Sequence, residues 1–104
     1  MGDIMKPRMV RRLRAELEAL RARRRSLRSS EVVALAKRIG RKRVNRGKEP
    51  TYERTGWLPL TIPGHSSDLA IGTASNILDQ LEEDIERLEA ESQDQEEDAN
   101  EEQE

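Results

Sequence analysis

The sequence predicts an α+β fold, a small domain of order α-β-β-β-α with an extra basic helix before it and a disordered acidic tail after it. Three observations carry this expectation. Trp57 to Ile62 (W-L-P-L-T-I) is short and apolar, with near-alternation at Leu58, Leu60 and Ile62, and Pro63-Gly64 stops it. After a loop, Gly72-Thr73 opens a helical pattern at Ile77, Leu78, Leu81, Ile85 and Leu88. Upstream, two short segments bounded by Gly47 and Thr55-Gly56 supply two more strands.

Taken in order, Lys6 to Leu27 reads as a helix. Pro7 sits where a first-turn proline is tolerated, and Val10, Leu13, Leu17, Leu20 and Leu27 fall on an a/d seam, with Arg24 in place of one apolar residue. A second helix follows, in which Ser29 or Ser30 serves as cap, Val32, Leu35, Ala36 and Ile39 form one face, and Gly40 is the stop. Arg41 to Arg46 is a strand with Val44 as its inward residue. Thr51 to Arg54 is a second strand with Tyr52 inward, and Thr55-Gly56 turns into the third. Thr73 is the expected N-cap of the last helix. An antiparallel sheet covered by helices on one face buries these stripes economically.

The chain divides into a basic helical extension at 1–28, a domain at 29–90 and an acidic tail at 91–104. Almost no apolar residue occurs from Glu91 to Glu104, so that tail is expected to be disordered. The formal net charge of −2 hides a strong polarity. Residues 1–48 carry +13 and residues 49–104 carry −15. The basic half suits a polyanion such as nucleic acid; the acidic half either screens it or keeps the protein soluble. The apolar stripe on the acidic helix is as long as the one on the basic helix. The two helices are therefore expected to pair, within one chain or as a homodimer through their a/d stripes.

Composition bounds the chemistry. At 104 residues there is room for one small domain, and its only aromatic residues are Tyr52 and Trp57. The absence of cysteine excludes disulfides and thiolate metal sites. A single histidine without clustered carboxylates gives no metal-site spacing, so neither a metal nor a cofactor is expected. No apolar run approaches the roughly 20 residues that span a bilayer, and the N-terminus lacks a signal-peptide core. The expectation is a soluble, cytoplasmic protein with no membrane partner.

From Ser30 to about Asp84 the chain resembles the HicA toxin family. The resemblance rests on S-E-V-V-A-L-A-K-R-I-G-R, on R-G-K-E-P-T-Y, and above all on I-P-x-H followed by D-L-A-I-G-T-A-S-N-I-L-D-Q-L. It covers about half of the chain. It implies a double-stranded-RNA-binding-like fold, an mRNA-cleaving endoribonuclease (mRNA interferase) of a type II toxin–antitoxin system, a HicB-type antitoxin partner, and a bacterial or phage-encoded origin.

The family's activity rests on a histidine shortly after the glycine of its first strand. Here Glu49, or Lys48, stands at that position. RNA scission needs a base near the 2′-hydroxyl, a donor for the leaving oxygen and positive charge on the phosphate. Glu49 reads as a substitute base or as a solvated turn residue. His65 reads as a general acid/base or phosphate contact, or as a turn residue holding the loop against Gly72. Arg41, Lys42, Arg43, Arg46, Lys48 and Arg54 are the candidate RNA contacts; the bland alternative is that edge-strand cations prevent sheet-to-sheet aggregation. Tyr52 and Trp57 suit base stacking, or the core. Three functions follow: a HicA-like ribonuclease toxin, a non-catalytic RNA- or protein-binding module of the same fold, or a helical dimerisation protein.

Overall fold

The computed structural model describes residues 6–46, 49–64 and 68–103. In chain order these form α1 (Pro7–Ala22), a short 3₁₀ turn (Arg24–Ser26), α2 (Ser29–Ile39), β1 (Lys42–Arg46), β2 (Glu49–Glu53), β3 (Leu60–Thr61) and α3 (Ile71–Gln103). The sheet is antiparallel with order β1-β2-β3. The α+β class and the α-β-β-β-α order of the main unit match the expectation.

The helix borders follow local chemistry. Pro7 begins α1, where its missing N–H costs no helical bond. Neither serine caps α2. Residue Arg28 stands at the cap position, and the Glu31 carboxylate accepts its backbone N–H at 3.0 Å, which is the acidic half of a capping box. Gly40 ends α2 with φ +112°, and Arg41 N–H reaches back to Ala36 C=O at 3.0 Å in a Schellman-type closure. A left-handed residue is needed there, and glycine takes that conformation without a Cβ clash.

α3 starts earlier and ends later than its apolar pattern suggests. Ala74 N–H bonds to Ala70 C=O at 2.8 Å, so Thr73 lies inside the first turn and is not the cap. The backbone then stays helical through Gln103, including the segment expected to be disordered. Glu, Gln and Ala are strong helix formers, and they extend a helix already nucleated against the core.

Register sorts the sheet residues into two faces. Tyr52 lies opposite Arg43 and Leu60, whereas Thr51 lies opposite Val44 and Thr61. Directly opposed residues share a face. Tyr52 and Leu60 are buried against the helices. Val44 therefore belongs to the other face, half-buried, and is not the inward residue of β1. β3 keeps only two residues of the expected strand. Leu58 is 80% exposed, and Pro59 beside it cannot donate to a ladder. The β2–β3 connection closes through Trp57 N–H to Arg54 C=O at 2.9 Å, with Gly56 at φ +85° as a type II turn requires.

The core joins the three helices to β2 and β3. Val10, Leu13 and Leu17 of α1, Val32, Leu35 and Ile39 of α2, Tyr52, Leu60 and Ile62 of the sheet region, and Leu78, Leu81, Ile85 and Leu88 of α3 form one buried cluster. α1 lies chiefly along α3. Val10, Leu13, Leu17 and Leu27, from the basic helical extension, belong to the same core as the sheet. Both a/d stripes are buried inside one chain, which is the first of the two pairings considered above. Leu69 N–H bonds to Leu27 C=O at 2.7 Å, and Arg28 bridges to Asp68, so the approach to α3 is sewn to the entry of α2.

Candidate nucleic-acid interface

The cations fall into two groups with different surroundings. Along α1, Arg14 and Arg21 meet the carboxylates of α3, whereas Arg8 and Arg12 are exposed. Arg14 donates to both oxygens of Glu89 at 3.0 Å and to Glu82 at 3.3 Å. Arg21 donates to Asp79 at 2.9 Å and to Glu82. The hydrogen bond to Glu89 raises the pKa of Arg14, and that to Asp79 raises the pKa of Arg21. Hydrogen bonds from Arg21, then Arg14, hold Glu82 below its ordinary carboxylate range. Arg38 pairs with Glu16, and Arg23 with Glu31. Arg14 and Arg21 are therefore neutralised by the acidic half, and Arg23 and Arg38 by carboxylates of their own half.

The second group lies on β1. As the first strand in the order β1-β2-β3, β1 is a free edge. Lys42 and Arg43 are exposed there, and among the described residues neither has an ion-pair partner. Lys37, in the last turn of α2, is likewise exposed. Lys42 lies opposite Glu53 on one face of the sheet and Arg43 opposite Tyr52 on the other, so the two cations offer phosphate-directed charge from either side of the same free edge.

The remaining sequence candidates separate. Arg41 is not a surface contact. It is 4% exposed, its Nε and Nη2 bond the Asp84 carboxylate at 2.7 and 3.0 Å, and its Nη1 donates to Tyr52 C=O at 2.9 Å and Leu58 C=O at 2.8 Å. A buried guanidinium persists only when paired and hydrogen-bonded in this way. The role of Asp84 has one local signal in the sequence, its place next to Ile85 on the apolar stripe of α3. Arg54 is half-buried, donates to Ile39 C=O at 3.0 Å and stacks over Trp57 with its guanidinium carbon 4.3 Å from the ring centroid. The indole packs against the core, and Tyr52 is buried within it, so the Tyr52 ring is not available to a base.

Arg46 and Glu49 face each other in the register at the end of the β1–β2 pair. Lys42 is at the opposite end of β1, roughly 13 Å away at strand rise. Lys48 and His65 lie outside the described residues. The chain leading to His65 does approach that of Glu49: Ile62 N–H bonds to Pro50 C=O at 3.2 Å, and a Cβ on Gly64 would stand 3.5 Å from the Pro50 ring. Pro50 is therefore a neighbour in space of Ile62 and Gly64. Among the described residues no three His, Cys, Asp or Glu side chains are placed to hold a metal ion. No described helix is long and apolar enough to cross a membrane.

Compared with models of protein families, with curated proteins and with solved structures, the chain matches none.

Proposed function

We propose that the chain is a HicA-like toxin that binds mRNA along β1 in a bacterial or phage-encoded type II toxin–antitoxin pair, with a HicB-type protein as antitoxin. The observation that carries this reading is the pair Lys42 and Arg43. They stay exposed on the sheet edge, and among the described residues neither has an ion-pair partner. The α-β-β-β-α order and the S-E-V-V-A-L-A-K and I-P-x-H stretches support the same family. The closeness of Pro50 and Gly64 supports a site that Glu49 and His65 would share. There Glu49 would take the proton of the 2′-hydroxyl and His65 would give one to the leaving oxygen, without a metal.

One observation favours a second reading, an RNA-binding module that does not cleave. A carboxylate stands where the family has its histidine, so the group on which the family's cleavage rests is missing from that position. A cleavage assay on purified full-length protein in chelator-containing buffer separates the two. Turnover that is lost in Glu49→Ala and in His65→Ala supports the ribonuclease. Binding that falls steeply with salt, without turnover, supports the module. Absence of RNA affinity at low salt removes both.

A further inference from the structure

The turn between β2 and β3 carries a feature that RNA binding does not use. Among the described residues Leu58 is the most exposed of the large apolar side chains, at 80%, and its backbone shows why it stays outside. Its carbonyl is held inward by Arg41 at 2.8 Å, and Arg41 is itself fixed by Asp84 of α3. Trp57 N–H closes the turn on Arg54 C=O, and Arg87 of α3 reaches Gly56 C=O at 3.5 Å. The turn is tied down at both ends, so Leu58 is presented on a rigid support.

Next to it, three guanidinium groups lie over the Trp57 ring, the buried Arg41 at 5.6 Å and, nearer the surface, Arg54 at 4.3 Å and Arg87 at 5.1 Å from the centroid. Neither Arg54 nor Arg87 has a carboxylate partner among the described residues, although Arg87 stands on the acidic helix, whose Asp79, Glu82, Asp84 and Glu89 are all paired. The rings and cations that would take a base or a phosphate are thus combined with an apolar side chain that RNA would leave wet. Arginine and tryptophan beside an exposed leucine are the composition of a protein-binding hot spot.

We propose that this turn is a docking site for a protein segment in which a carboxylate lies beside an apolar side chain. The apolar residue covers Leu58 and the edge of Trp57, and the carboxylate bridges Arg54 and Arg87. The site is independent of whether β1 takes RNA.

The test is selection of short random peptides displayed on phage against the full-length protein. Enriched sequences pair Asp or Glu with Leu, Ile or Phe. They lose about tenfold or more in affinity for Leu58→Asp and for Arg87→Glu, and they shift the indole N–H resonance of Trp57. Both substituted side chains are exposed, and an unchanged melting temperature confirms that each variant is folded. Three outcomes overturn the proposal: no enrichment, clones that bind Leu58→Asp as well as wild type, or an RNA oligonucleotide that moves the Trp57 resonance and displaces the clones.

Discussion

The α1–α3 seam and the β1 edge are both built on cations, and they use them in opposite ways. Along the seam, Arg14 and Arg21 stand opposite Asp79, Glu82 and Glu89, so charge serves registration between two helices whose apolar stripes already attract each other. At the edge, Lys42 and Arg43 have no such partner and remain directed at solvent. Net charge of the basic half therefore overstates what is left for a polyanion. What decides function is which cations the fold leaves uncovered.

The largest effect is expected from removing the seam. Deleting residues 1–28 takes away the buried Val10, Leu13, Leu17 and Leu27. Burial of such side chains contributes about 1.5–3 kcal/mol each, against a typical net stability of about 5–15 kcal/mol. The truncated chain should be unfolded by circular dichroism; an α3 that melts at an unchanged temperature would refute the seam as the core's main support. Next in size is Arg41→Ala, which strands the Asp84 carboxylate in the interior. Breaking a buried pair from one side costs about 3–5 kcal/mol, and denaturant unfolding should show a loss of that order. A change under 1 kcal/mol, the range of exposed pairs, would place Arg41 on the surface after all.

The edge should respond in function and not in stability. Lys42→Ala combined with Arg43→Ala is expected to shift unfolding by no more than about 0.5 kcal/mol. The slope of log affinity for RNA against log salt should fall by about one for each cation removed. Equal substitutions at Arg14 and Arg21 should leave that slope unchanged, and this contrast separates the two regions.

The smallest effect concerns pH and salt at the seam. Glu82 has a depressed pKa in the fold, so its contribution to stability is present above the unfolded carboxylate value and is lost as pH falls through the folded one. The melting temperature should begin to drop below about pH 4.3, the reference value for glutamate. That drop should be smaller in Glu82→Gln. Arg14 and Glu82 are partly exposed, so Arg14→Gln should cost no more than about 1 kcal/mol and the cost should shrink in high salt.

Much of the fold was legible because apolar periodicity reports burial directly. The stripes at Val10, Leu13 and Leu17, at Val32, Leu35 and Ile39, and at Leu78, Leu81, Ile85 and Leu88 all lie in the core. Residues whose neighbours are distant in sequence were harder to place. Val44 was misassigned to the inner face because one apolar residue in a strand does not fix its register. Leu58 fits an alternating pattern, yet Pro59 and the Arg41 anchor turn it outward. Thr73 has the chemistry of a cap, but the helix had already begun at Ile71.

The candidate site divides the same way. Lys42 and Arg43 could be chosen from the local density of cations. Arg41, one position earlier and chemically identical to Arg43, could not be excluded without knowing that Asp84 sits 43 positions away at bonding distance. The sequence determined by itself the helices, the strand order and the polarity of charge, because propensity and periodicity act over a few neighbouring residues. Only the tertiary structure decided which arginines are interior ligands and which face solvent, because pairing a charge depends on partners that chain folding alone brings together.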